Sequence, residues 1–203
     1  GDTMTPNVVC IIQARMASTR FPRKITEKVG PLPMLTRIAW TAVTALGIDK
    51  TVVAMPAGDR QHLADLGSIG LAFFWEGSED DVLGRYAACA KHFRADVVVR
   101  LTGDCPLVDP VAIQGQVKRL LDTGAMYVSN IYPVRTVPSG FDVEVFTATA
   151  LYVADALATD PQDREHVTPW IQREFATDLH LVHLSVDTPE DLELVRRVAA
   201  RMP

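Results

Sequence analysis

A chain of 203 residues, 48% of them apolar, can build one full α/β core with a small appended lobe but not two independent cores. Its net charge of −5 argues against broad nucleic-acid binding and makes any basic cluster a local feature. Cys10, Cys89 and Cys105 lie far apart with no paired spacing, which excludes a disulfide framework and a zinc site and leaves reduced, mostly buried thiols as the expectation.

Residues 1–4 carry no basic-then-apolar signal pattern, and no apolar run is long enough to span a membrane, so the expected setting is cytoplasmic without a membrane partner. The first informative stretch is Val8-Val9-Cys10-Ile11-Ile12, a short, continuous, β-branched run that reads as a strand buried on both faces of a parallel sheet. Beyond its carboxyl end comes a loop in which Arg15, Arg20, Arg23 and Lys24 fall within ten residues, beside Ser18 and Thr19. Ligands of open α/β sheets bind at that end of the strands, and clustered cations with free backbone N–H groups suit a polyphosphate there. A solvated basic loop is the plainer alternative.

Alternation of helix and strand patterns follows. Residues 33–46 place Leu35, Ile38, Ala39, Ala42, Val43 and Leu46 at three- and four-residue steps, with Pro33 at a first helical position and Gly47 after the end. Residues 51–55 read as a strand, 59–66 as a short helix and 71–75 as a further strand; residues 79–93 read as a helix with acids in its first turn. Right-handed crossovers between such units predict a three-layer α/β/α sandwich over a mostly parallel sheet, of Rossmann-like type.

Val97-Val98-Val99-Arg100-Leu101 is another strand, ending in Thr102-Gly103-Asp104. An acid on a Gly turn directly after a central strand projects into the same crevice as the first loop, so Asp104 is a natural Mg²⁺ ligand beside substrate phosphates. The competing post, capping the helix that starts near Pro110, suits Asp109 better. Residues 126–129 read as a strand, 130–140 as irregular, 142–146 as a half-buried strand and 147–157 as a helix; 160–170 is dense in ionisable groups, and 179–184 is strand-like. Asp187 precedes a helix opened by Thr188 and Pro189; capping explains it, yet from a strand end it could share a divalent cation with Asp104.

The blocks Gln13-Ala14-Arg15-x-x-Ser18-Thr19-Arg20-x-Pro22-x-Lys24, Gly103-Asp104-x-Pro106-Leu107 and Val186-Asp187-Thr188-Pro189-Glu190-Asp191-Leu192 together resemble the cytidylyltransferase family, which contains the CMP-Kdo and CMP-sialic acid synthetases. Gly77-Ser78-Glu79-Asp80-Asp81-Val82-Leu83, Asp142-Val143-Glu144-Val145 and Asp163-Arg164-Glu165-His166-Val167 are similar to its branch called spore-coat polysaccharide biosynthesis protein F. The resemblance covers nearly the whole chain and implies a nucleotidyltransferase of the nucleotide-diphospho-sugar transferase type, with one domain over 1–203 and an acceptor-binding or dimer lobe at 126–175. It implies transfer of CMP from CTP to an acidic sugar of the 2-keto-3-deoxy type, with Mg²⁺ and release of pyrophosphate, in surface polysaccharide biosynthesis. Gln13, Ala14, Arg15, Ser18, Thr19, Arg20, Lys24, Thr102 and Gly103 would bind the nucleotide. Arg15 and Lys24 would match the cations on the triphosphate, and Asp104 and Asp187 the metal ligands.

The acceptor is expected near Ser78, Asn130, Arg135, Glu144, Arg164 and His166, where a cation can pair with a sugar carboxylate. Ala17, Arg23 and Leu32 depart from the family pattern, which commonly has Gly, Gly and Lys there, and alanine at 17 resists a positive φ. A homodimer is expected, with 130–146 suiting its edge. Two other readings stay open, a metal-dependent glycosyltransferase that uses a nucleotide sugar and a catalytically silent nucleotide-binding member.

Overall fold

The computed structural model describes residues 5–66, 72–176 and 188–202. The first apolar run forms β1 (Val8–Gln13). Cys10 and Ile12 enter one apolar cluster and Val9 and Ile11 another. Both faces of the strand are therefore covered, which is why its apolar residues are continuous and not alternating. A 3₁₀ turn at Lys24–Thr26 leads to a two-residue ribbon of β2 (Lys28–Val29) and β3 (Leu32–Pro33), and then to α1 (Met34–Thr44). β4 (Lys50–Pro56), a 3₁₀ helix at Asp59–Leu66, β5 (Phe73–Gly77) and α2 (Val82–His92) come next. After β6 (Val97–Thr102) and α3 (Pro110–Thr123) stand β7 (Tyr127–Ser129), β8 (Glu144–Thr147), α4 (Ala148–Leu157), α5 (Pro161–His166), α6 (Pro169–Phe175) and α7 (Pro189–Ala199).

Among the described residues the sheet runs in the order β5-β4-β1-β6-β8-β7. β1 is parallel to β4 and β6, and β5 is parallel to β4; β8 runs against both of its neighbours. Leu35 and Ile38 of α1 and Ile113 and Val117 of α3 cover one face. Leu83 and Tyr86 of α2, Leu151 of α4 and Ile171 of α6 cover the other. This is the predicted three-layer sandwich. No helix among the described residues is long and apolar enough to cross a membrane.

Several boundaries differ from expectation for local reasons. The acids at 79–81 precede α2 and do not sit in its first turn, because Asp81 is the cap: its Oδ1 accepts from the Gly84 N–H at 3.0 Å. Asp109 caps α3, its Oδ1 accepting from Val111 N–H at 2.8 Å, so Asp104 is released from that duty. The strand expected at 142–146 begins at Glu144, since Val143 N–H is held by Asn130 Oδ1 at 2.9 Å and Asp142 pairs with Arg135 at 2.7 Å. That strand lies between β6 and β7, so the expectation that it forms a dimer edge is corrected: its hydrogen bonds on both sides are already used within the sheet. The ionisable stretch 160–170 folds into the two short helices α5 and α6, each with proline at its start. The strand-like residues 179–184 lie outside the described residues.

All three thiols are free and buried. Burial pushes the Cys10 thiol far above its ordinary range, and the Cys89 thiol as well, the latter against an opposing pull from the Arg85 charge. A group whose folded value is raised contributes stability that is fully present below its unfolded value, about 8.5 for a thiol, and lost as pH climbs beyond it. Conformational stability should therefore fall above about pH 8.5 by about 1.4 kcal/mol per pH unit for each such thiol. Denaturant titrations at stepped pH check this, and Cys10→Ala should make the decline shallower; an unchanged slope would count against the buried thiol as its source.

Candidate active site

Gln13 of β1 and Thr102 of β6 are register partners, so both strands end side by side and their loops leave from the same rim of the sheet. The Gly103 N–H donates to the Gln13 carbonyl at 2.7 Å, and a Cβ on residue 103 would lie 3.0 Å from that oxygen. A side chain there would push the two loops apart; glycine lets them touch. The next residue, Asp104, thereby meets the first loop, and its Oδ2 accepts from Lys24 Nζ at 3.0 Å. Burial pushes the Asp104 carboxyl up, but hydrogen bonds from Lys24 and Thr102 and the Lys24 charge outweigh it and hold the group below its usual value.

The pair opens onto a cleft of about 500 Å³. Gln13, Ala14, Arg15 and Lys24 line one part of it and Thr102, Gly103 and Asp104 another, so six of the nine residues expected at the nucleotide are brought together with the expected metal ligand Asp104. Ser18, Thr19 and Arg20 belong to the same loop without lining the cleft. The loop is tied back on itself by the Arg23 N–H, which donates to Met16 O at 2.9 Å. That closure places Arg23 in the left-handed region at φ 58°, while Ala17 has no positive φ. The residue under backbone strain is thus Arg23, the other glycine-to-side-chain departure.

Of the residues expected at the acceptor, only His166 lines the cleft. It is held there by Val167, whose φ of 71° and ψ of −57° make a γ-turn closed by the Thr168 N–H on His166 O at 2.8 Å. Such a conformation costs about 1–3 kcal/mol, and the Val167 side chain, fully buried, holds it in place. The others are committed elsewhere. Arg164 forks onto Asp81 at 2.9 and 2.7 Å and also grips Asp155 at 2.7 Å. Arg135 pairs with Asp142 in the loop after β7. Asn130 is buried, its Nδ2 donating to Phe141 O at 2.8 Å, and Ser78 Oγ accepts from the Asp81 N–H at 3.1 Å. Asp187, the second expected metal ligand, lies outside the described residues.

Glu144 stands directly opposite Arg100 in the β6–β8 register and is 2% exposed. One of its oxygens binds Arg100 Nη1 at 2.5 Å; the other accepts from Tyr127 Oη at 2.7 Å and Gln172 Nε2 at 2.9 Å. Burial pulls the Arg100 guanidinium down, but the Glu144 charge outweighs it and holds it above the ordinary value. Arg100 Nη2 in turn donates to Gln13 Oε1 at 3.1 Å, which fixes a cleft residue. Glu144 acts on the site through Arg100 and Gln13.

Glu79, Asp80, Arg85, Arg100 and Glu165 also line the cleft and were not expected there. A charged residue inside a buried β-branched strand marked Arg100, and Arg85, one position before Tyr86 on the core side of α2, carried a similar signal. The acids before α2 were taken up by the helix-start reading.

A family model for cytidylyltransferases matches residues 9–201. The chain belongs to the cytidylyltransferase family. It is 36% identical over 166 residues to an uncharacterised protein of Methanocaldococcus jannaschii, covering 81% of this chain and 66% of that one. It is 29% identical to the spore coat polysaccharide biosynthesis protein SpsF of Bacillus subtilis, covering 94% and 85%, and 29% identical to the 3-deoxy-manno-octulosonate cytidylyltransferase of Geobacter sulfurreducens, covering 62% and 50%. This cytidylyltransferase homologue thus spans about two thirds of the first of these relatives and half of the last. A solved cytidylyltransferase from Leptospira borgpetersenii superposes with a TM-score of 0.78 at 30% identity, over 93% of this chain and 84% of that one.

Among the described residues no cluster of three metal-ligating side chains converges. The cleft does offer the half-exposed Asp104 carboxylate, with Glu79 and Asp80 also on its wall. Hard oxygen donors in such small number suit a magnesium ion that keeps waters and phosphate oxygens as its remaining ligands. Removing Glu144 would strand the Arg100 charge in the interior, so Glu144→Ala should cost about 3–5 kcal/mol in a denaturant titration. A loss under 1 kcal/mol would show that Arg100 does not depend on its partner.

Proposed function

We propose that this cytidylyltransferase family member transfers CMP from CTP to an acidic sugar of the 2-keto-3-deoxy type, releasing pyrophosphate, in the making of a surface polysaccharide. The observation that carries the reading is the Lys24–Asp104 pair at the joined ends of β1 and β6, with Arg15 beside it. The names of the two relatives, a 3-deoxy-manno-octulosonate cytidylyltransferase and a spore coat polysaccharide biosynthesis protein, support the acceptor class and the setting.

In the proposed reaction the acceptor hydroxyl oxygen attacks the α-phosphorus, the bond from that phosphorus to the bridging oxygen breaks, and pyrophosphate departs with the electron pair. The hydroxyl proton leaves to water or a cleft carboxylate. Positioning and charge stabilisation supply most of the rate in such a step. Lys24 and Arg15 bind the departing phosphates; Lys24 does so by exchanging the Asp104 oxygen for a phosphate oxygen. His166, presented by the γ-turn at Val167, stands where an acceptor enters. Asp104, with Asp187 as its expected partner, would hold Mg²⁺, which when bound offsets triphosphate charge and lowers the pKa of the acceptor hydroxyl.

Asp104→Asn removes charge from a half-exposed group, so the fold should persist while Mg²⁺-dependent pyrophosphate release from CTP drops about 10²- to 10³-fold. Lys24→Ala should weaken CTP binding in calorimetry by about 10- to 100-fold. Thermal shifts with four nucleoside triphosphates and Mg²⁺ should favour CTP. Normal turnover by Asp104→Asn would remove its metal role, and turnover of a nucleotide sugar without pyrophosphate would make the protein a glycosyltransferase.

A further inference from the structure

Arg85, in the first turns of α2, is 3% exposed and yet lines the cleft. Among the described residues no carboxylate pairs with it. Its Nη1 donates to Ser78 O at 2.8 Å, and its Nε has no hydrogen-bond partner. Burial holds its pKa below the ordinary value; the Tyr86 and Asp59 charges oppose this and the Arg15 charge adds to it, while Arg85 in turn helps to lower the Asp81 carboxyl. Asp59 already accepts the Met16 N–H at 2.7 Å. A guanidinium so placed has lost most of its water and meets Asp59 and Asp81 only through space, with no ion pair, a costly arrangement beside the half-buried Arg100, which binds Glu144 directly.

The backbone makes room for this side chain. A Cβ on Gly77, at the end of β5, would lie 2.9 Å from Arg85 Cγ and 3.3 Å from both Cβ and Cδ. Gly77 has no positive φ, so its want of a side chain answers a need for space and not for a turn. The Arg85 stem lies flat against the strand end, and its charge is held at the cleft wall with little freedom left to lose on binding.

We propose that Arg85, seated against Gly77, is an interior anion clamp that together with Arg15 binds a phosphate of the nucleotide's polyphosphate chain. The two guanidiniums repel each other unless an anion lies between them, and Arg15 belongs to the β1 loop on which the proposed function already places phosphate. The proposal rests on that reading for the identity of its ligand. A planar fork meets phosphate oxygens in pairs, as an ammonium does not, so lysine should be a poor replacement.

Calorimetry with pyrophosphate, CTP and CMP, each with Mg²⁺, tests it on the whole chain. Arg85→Met keeps the apolar stem and Gly77→Ala keeps the charge while displacing it; both should weaken pyrophosphate and CTP about 10- to 100-fold and CMP far less. The unliganded Arg85→Met protein should melt no lower than the wild type, because an unpaired interior charge is removed. Should that variant fail to fold, Arg85→Lys and Gly77→Ala carry the same expectation. Wild-type affinity for pyrophosphate in Gly77→Ala and in either Arg85 variant overturns the proposal, even if CTP binds and the proposed function stands. So does loss of a sugar acid alone, which would assign the guanidinium to the acceptor carboxylate. Pyrophosphate binding that falls in the variants without any preference of the wild type for CTP supports the clamp and overturns the proposed function.

Discussion

The contact between Gly103 N–H and the Gln13 carbonyl joins the two loops on which the cleft is built. It extends the parallel ladder of β1 and β6 by one step past the strands, into the turn that carries Asp104. Because residue 103 has no side chain, the backbones approach closely enough for Lys24 and Asp104 to form an ion pair across them. Both partners are partly exposed, so the pair adds little to stability. What it does is hold a cation and a carboxylate together at the cleft.

Around that contact two arginines of the cleft wall, Arg100 and Arg85, are treated in opposite ways. Arg100 is neutralised by Glu144 across the β6–β8 ladder, with Tyr127 and Gln172 occupying the other carboxylate oxygen, and so becomes a fixed support for Gln13. Arg85 is given space by Gly77 but, among the described residues, no ion-pair partner. Each keeps an Nε without a hydrogen-bond partner, so what separates them is the ion pair that Arg100 makes and Arg85 does not. A similar difference separates the residues expected at the acceptor, where Arg164 and Arg135 are bound to carboxylates of the chain and His166 lines the cleft.

Of the three described residues other than glycine that take a positive φ, Arg23, Arg94 and Val167, two adjoin the cleft. Arg23 takes a left-handed conformation so that the basic loop can close on Met16, directly before Lys24. Val167 takes a γ-turn directly after His166, and its buried side chain keeps the turn from relaxing. In each case the strained residue adjoins a cleft residue, and the strain is held by a contact on the far side.

The sequence alone determined the layers and which residues would meet at the rim where β1 and β6 end. Continuous β-branched runs can only be strands covered on two faces, and loops at the carboxyl ends of parallel neighbours share a rim, so Arg15, Lys24 and Asp104 were legible from local pattern and sheet geometry. Residues whose role depends on partners distant in the chain were not. Glu144 and Arg164 have the chemistry of substrate ligands, and only the register of β8 against β6 and the packing of α5 against α2 show them engaged within the protein. Arg85 and Gly77 were readable as a helix residue and a strand end; that one shelters the other and leaves its charge unanswered was decided by tertiary structure. Periodicity reports which face of an element is buried, whereas the pairing of a charge depends on elements brought together from elsewhere in the chain.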